Sequence, residues 1–302
     1  MCMFILTILL STSGIGVKVS NIEIGIGLIE NKDTGETFQT IQAAIDDSDT
    51  SNGHTIFVPS GRYYENIVID KSITLEGENK DETFIIANSL FCTISIVTDE
   101  VILKGFTFWN NIEWGHGLKI DHSSNTLVTN NLVIGNHLYG IWLEDSSYNT
   151  ITDNEIISNG IGIKLSSSSN NYITNNTLQD STWCNMWIVS SSNNNIYYNN
   201  FIIEEGTINI NSTRNDLYNS WDDGSQGNYW SDYEGKDKNW DKIGDTPYII
   251  KGENNKDNYP WMKKDGKSKM INNLNYHIES KNLIINFLNR FISSLKFLVN
   301  FN

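Results

Sequence analysis

Basic residues are scarce in this 302-residue chain. Its 21 Lys and Arg stand against 36 Asp and Glu, a formal net charge of −15. A protein that grips nucleic acid needs clustered cations to displace counterions from phosphates, so nucleic acid is excluded as a partner class. Cysteine is also sparse, at three. Cys2 falls in an apolar leading stretch, and Cys92 and Cys184 stand alone with no metal-ligand spacing around either. Buried free thiols are the expected state; a Cys92–Cys184 disulfide would require the two to meet on neighbouring walls. The five histidines, His54, His116, His122, His137 and His277, are scattered, and neither Met-x-x-Met nor His-x-His occurs. Copper wants clustered soft sulfur or several imidazoles, so this pattern argues against a copper site. A negative mean hydropathy suits a soluble domain rather than a membrane channel.

What the chain has in abundance is repetition. Five segments share the pattern Asn-x-hydrophobic-x-x-(Asn/Ser), beginning at Asn125, Asn149, Asn171, Asn194 and Asn215, in steps of 24, 22, 23 and 21 residues. Short apolar strands precede most of them, at 118–120, 141–143, 163–165 and 186–189. A fixed period of this size marks a solenoid. The strands are too short, and the Asn, Ser and Gly turns too frequent, for helical repeats. Each repeat reads as one coil of a right-handed parallel β-helix, an all-β architecture with long solvent-facing walls. Within a coil, Ile141 and Leu143 point inward while Trp142 and Glu144 point outward. Stacking the coils predicts two inward columns: Leu118, Ile141, Ile163 and Met186 in one, Ile120, Leu143, Leu165 and Ile188 in the other. The repeated asparagines predict ladders in which each amide bonds the next coil's backbone.

Four regions follow. Residues 1–20 carry an apolar run and then small residues, the pattern of a signal peptide without a basic start, which predicts a secreted or cell-surface protein; the alternative is a buried N-terminal strand. The β-helix spans 37–220. Thr37 caps a short helix whose Phe38, Ile41, Ala44 and Ile45 share one face and plug the N-terminal end. Strands then follow at Thr55–Val58, Ile67–Ile69, 73–76, Thr83–Ile86, 93–97, 101–103 and 106–108. Residues 221–262 are rich in Trp, Tyr, Gly and Asp and make a C-terminal cap. Residues 282–301 form an amphipathic helix after a basic stretch. Residues 263–302 hold seven Lys/Arg against two Asp/Glu, which leaves −20 on the remainder. Such a helix either folds back over the last coil or attaches peripherally to a membrane or envelope partner.

Three chemistries are candidates. The first is glycan binding. Lys119, Trp142, Lys164 and Trp187 fall in one outward column, with Asp121, Glu144 and Ser166 beside it. Two Trp two rungs apart sit about 10 Å apart, a spacing at which sugar C–H faces stack while carboxylates and Lys bond hydroxyls or uronates. The competing reading packs these Trp under a neighbouring loop. The second is catalysis. Asp121 and Glu144, one rung apart and near His122, could serve as paired carboxylates for a hydrolase, lyase or epimerase, though polar residues on a solvated wall are usually just solvated. The third is calcium: Asp237, Asn239, Asp241, the Ile243 carbonyl and Asp245 match positions 1, 3, 5, 7 and 9 of an EF-hand-like loop. Against it, Lys242 stands where Gly makes the turn and Tyr248 occupies position 12; the competing reading is an Asp-rich turn.

The run Asn228-Tyr-Trp-Ser-Asp-Tyr, followed by Ile243-Gly-Asp-Thr-Pro-Tyr and Asp257-Asn-Tyr-Pro, resembles the closing motif of NosD-type β-helix surface proteins. The repeats are similar to that family's carbohydrate-binding and sugar-hydrolysis (CASH) region. Covering roughly 37–262, the resemblance implies a pectin-lyase-like β-helix outside the cytoplasmic membrane. It does not imply one activity, since the family's names record both copper handling and sugar chemistry. The opening Phe38-Gln-Thr-Ile-Gln-Ala-Ala-Ile-Asp through Thr74-Leu-Glu-Gly also resembles pectin methylesterases, whose catalytic Asp motifs are absent downstream, so it carries fold alone. Gly115-His-Gly matches polygalacturonases, whose Asn-Thr-Asp motif is absent upstream. Polysaccharide binding or organisation without established catalysis is the leading expectation. A carbohydrate-active enzyme is the second, and a structural surface-layer component or copper-handling accessory protein the third.

Overall fold

The computed structural model describes residues 28–264 apart from 88–90, 111, 205–206, 213–217 and 251–254. The expected leader over 1–20 and amphipathic helix over 282–301 lie outside the described residues. Strands of two to six residues wind into a parallel β-helix with three walls of nine, eight and seven strands. One coil runs through Leu127–Thr129 on the first wall, Leu132–Ile134 on the second and Tyr139–Glu144 on the third. The next begins at Thr150–Thr152, with Leu127, Val128 and Thr129 paired to Thr150, Ile151 and Thr152. Only the N-terminal pair Ile29–Asn31 and Thr37–Phe38 joins the first wall antiparallel among the described residues.

Alternation along each strand builds the core. Both expected inward columns, from Leu118 to Met186 and from Ile120 to Ile188, are wholly buried. They belong to one hydrophobic cluster running the length of the solenoid. At the N-terminal end the helix Ile41–Asp46 adds Ile41, Ala44 and Ile45 to that cluster. Its cap is Thr40, whose hydroxyl accepts from the Ala43 N–H at 3.2 Å, while Thr37 is drawn into the antiparallel strand. At the other end Trp221 and Trp230 are buried, and Trp230 lies stacked between Phe201 (4.4 Å) and Tyr248 (4.1 Å).

Buried asparagines brace the turns between walls. In the longest ladder Asn131, Asn154, Asn176, Asn199 and Asn228 follow one another on successive coils. From Asn154 onward each side-chain oxygen accepts the previous coil's asparagine N–H at 3.0 Å, while Asn131 accepts from the Phe106 N–H at 3.1 Å, and the amide nitrogens donate to backbone carbonyls. A second ladder joins Asn149, Asn171, Asn194 and Asn219. Register corrects the sequence pattern at its start: Thr126, not Asn125, pairs with Asn149, and Asn125 takes a left-handed turn at φ 56°. Asn215 lies outside the described residues, and the ladder continues at Asn219. Three predicted strands move by one residue, to Thr74–Gly77, Cys92–Ile96 and Ile102–Lys104, and a fourth becomes Thr107–Trp109.

Candidate functional site

The third wall carries the longest strands, His116–Asp121, Tyr139–Glu144, Ile161–Ser166 and Cys184–Val189. Their pairing puts Lys119, Trp142, Lys164 and Trp187 in one row, one per coil. In the first three strands the second residue is glycine because a Cβ at Gly117, Gly140 or Gly162 would come within 2.5–2.7 Å of the next strand's carbonyl oxygen. The glycine interrupts the alternation, so residues three apart meet on the outer side. The Tyr139 and Trp142 rings lie 5.2 Å apart. Tyr139, Ile161 and Cys184 form a small cluster separate from the core, with Trp142 and Trp187 packed against it.

The two Trp are therefore half-buried rather than bare. Their indole N–H groups are buried without a partner among the described residues, so the exposed part of each ring is carbon. Lysines interleave with the rings: Lys119 stands 4.4 Å from the Trp142 centroid, and Lys164 stands 5.1 Å from Trp142 and 5.0 Å from Trp187. Such contacts are worth about 0.5–2 kcal/mol each, depending on desolvation. The two cations differ in pairing. Lys119 bridges Glu144 (2.5 Å) and Asp121 (3.0 Å). Lys164 has no carboxylate partner among the described residues; it donates to the Tyr139 hydroxyl at 3.0 Å.

Asp121, His122 and Glu144 do come together. The His122 Nδ1 is 2.7 Å from Asp121, and its Nε2 is 3.6 Å from Asp145. Burial pushes the Asp121 carboxyl up, but hydrogen bonds from Lys119 and His122 outweigh it and hold the group below its ordinary range. Asp121 is thus an ionised acceptor held by Lys119 and His122, a state that suits the base or nucleophile of glycoside hydrolysis and not its acid.

His116 and Tyr139 were not signalled by the outward column, although each directly precedes a strand glycine. The rings stack at 4.8 Å and 12°. Burial first, then the nearby Lys119 and Lys164 cations, drives the His116 imidazole down to about 4, so it is neutral at neutral pH. Trp114 and Trp183, exposed by 60% and 52%, precede strands of the same wall and extend its aromatic surface. Cys92 and Cys184 are free, and burial pushes both thiols up, Cys184 to about 12.

The loop expected to hold calcium uses its oxygens on itself. Asp237 accepts from the Trp240 and Lys242 N–H groups (2.7 and 2.9 Å), Asp241 from Ile243 N–H (2.8 Å), and Asp245 from Lys238 N–H (3.0 Å). Asn239 bonds Asp241 at 2.9 Å. Among the described residues, Asp237, Asp241 and Asp245 do not gather within 4.8 Å of one another; the one set of three acidic, His or Cys side chains that does is Glu36, Asp47 and Asp49. Those hard oxygens do not suit copper. Nor do the described histidines: His54 bonds Asn31, His116 stacks on Tyr139, His122 pairs with acids, and His137 accepts from the Trp114 N–H. The described residues do not fit a copper ion.

Comparison with known proteins adds three findings. The family model described as "Periplasmic copper-binding protein (NosD)" matches residues 8–235. A "Cell surface glycoprotein" of Methanothermus fervidus is 33% identical over 131 residues, which is 43% of this chain and 20% of the relative, so the chain spans about a fifth of that protein's length. Among solved structures, a pectin methylesterase in complex with a hexasaccharide covers 58% of this chain and 65% of its own at 16% identity and TM-score 0.36. Geobacillus virus E2 ORF18 covers 52% and 36% at 15% identity and TM-score 0.45.

Proposed function

The chain belongs to the NosD family, and from that premise we propose that it is an extracytoplasmic β-helix protein that binds or organises polysaccharide at the cell surface. Two similarities support the location: the family is described as periplasmic, and the relative from Methanothermus fervidus is a cell surface glycoprotein. The observation that carries the binding reading is Lys164, a cation held between two Trp rings and a Tyr on a long wall, with no carboxylate paired to it among the described residues. Around it stand open ring carbon, the ionised Asp121, the Glu144 carboxyl and Lys119. Together these offer apolar contact, donors and acceptors at the spacing of successive coils, about 4.8 Å, and such a mixture suits the alternating C–H faces and hydroxyls of a sugar chain.

Turnover is not part of the proposal, because both carboxyls of the pair are tied to Lys119. The basic, apolar segment over 282–301 supplies peripheral attachment to the envelope in this reading. Pull-down on neutral and acidic polysaccharides, with a parallel assay for released products, tests it. Retention without products supports binding; products support an enzyme; neither supports a purely structural wall.

A further inference from the structure

Most asparagines in the repeats cannot carry anything: their amides are buried and donate to two or more acceptors, as at Asn154, Asn176 and Asn199. Asn175 differs. It takes a left-handed turn at φ 57° after the strand Tyr172–Thr174, directly before the ladder residue Asn176. Its side chain makes no hydrogen bond among the described residues, and its amide is not among the buried polar groups. The amide is therefore free at the surface. Asn175 also opens the sequence Asn-Asn-Thr, ending at Thr177, which is the Asn-x-Ser/Thr pattern of an N-glycan acceptor. One other such sequence begins at Asn211, but it ends at residue 213, outside the described residues, and nothing here rests on it.

We propose that Asn175 is an N-glycosylation site. The host's transferase would join the Asn175 Nδ2 to C1 of the first sugar of an oligosaccharide carried on a lipid phosphate. The N–C1 bond forms as the C1–O bond to phosphate breaks; the phosphate oxygen leaves with that electron pair, and the amide gives up one proton. The finished fold accommodates the product, since the turn points away from the core and the neighbouring coils place Asp153 and Tyr198 at the equivalent position. Thr177 fixes the timing. It is 4% exposed, and its hydroxyl accepts from the Asn200 amide at 3.3 Å, so it is available to a transferase only before this coil closes. Modification therefore precedes folding, and folded, unmodified protein is a poor acceptor. The proposal rests on the extracytoplasmic location given above, not on the polysaccharide row of the third wall.

The test is site-resolved peptide mass mapping of the full chain recovered from its native host's envelope. The expected result is a sugar mass localised on Asn175. It is retained in Thr177→Ser and lost in Thr177→Ala and in Asn175→Gln, the last of which leaves the core untouched. Protein confined to the cytoplasm, or envelope protein whose Asn175 carries no added mass, overturns the proposal.

Discussion

Asp257 accepts the Asn228 backbone N–H at 2.7 Å, wholly buried, and thereby ends the longest asparagine ladder. Every earlier rung is met by the next coil's asparagine oxygen; at the last rung among the described residues a carboxylate takes the acceptor's place. The same oxygen accepts from the Trp230 indole N–H at 2.8 Å, so one group secures both the ladder and the stacked Trp that closes the core. A shorter side-chain ladder, in which the Asn185 amide donates to Asn209, also ends on a carboxylate, with the Asn209 amide donating to Asp232. The closing sequence Asn228-Tyr-Trp with Asp257 is thus a device for finishing an amide ladder.

That burial has a pH signature. Desolvation raises the Asp257 carboxyl to about 6 against the hydrogen bonds that lower it. Because the folded value lies above the ordinary 3.8, its contribution to stability is greatest below about pH 4 and declines as pH rises through about 6; the span of roughly 2 units corresponds to about 3 kcal/mol. Urea melts of wild type and Asp257→Asn at pH 4 to 7 should differ in slope over that window. Parallel curves would contradict the assignment.

The ladder and turn asparagines should separate sharply on truncation. Asn154→Ala leaves buried backbone N–H and carbonyl groups unpaired, at about 1–3 kcal/mol for each. Asn175→Ala removes a surface amide, and surface changes stay within about 0.5 kcal/mol apart from any turn strain. Chemical denaturation of the two variants checks the contrast.

The loop at 237–245 behaves as a self-bonded turn. Asp237→Ala should lower the Tm by the same amount with calcium or with EDTA, since the carboxylate serves the Trp240 and Lys242 N–H groups. A wild-type Tm that rises with added calcium would restore an ion to the loop.

Trp142 and Trp187 contribute to folding as well as to the surface. Both pack on Tyr139, Ile161 and Cys184, so Trp142→Ala and Trp187→Ala should each cost about 1–3 kcal/mol, below the range for fully buried Trp. Binding is therefore better tested by changes that leave the rings in place.

The period and alternation made the fold legible: the inward columns and most strand cores stand where the pattern puts them. Ladder register was harder to read because asparagine does two jobs here. In Asn130-Asn131, Asn170-Asn171, Asn175-Asn176 and Asn193-Asn194 the first residue takes a left-handed turn and the second enters the ladder. Where Asn125 is followed by Thr126, only the first job is visible, and the pattern slips by one. The outward row was legible as positions but not as contacts. Whether a Trp stands bare or is sandwiched by lysines depends on side-chain directions across coils, and the Tyr139–Trp142 meeting depends on a glycine interruption that period-two alternation does not contain. The calcium pattern is ambiguous in sequence because alternate Asp and Asn residues suit an ion and an Asx-turned loop equally well.

The central claim rests on Lys164, and titration of acidic and neutral polysaccharides into wild type and Lys164→Gln tests it most directly. The substitution keeps the Trp rings and removes the unneutralised cation, so affinity should fall about tenfold, about 1.4 kcal/mol, with the melting curve little changed. Equal affinity for the two proteins, or no binding by wild type to any polysaccharide, would contradict the account.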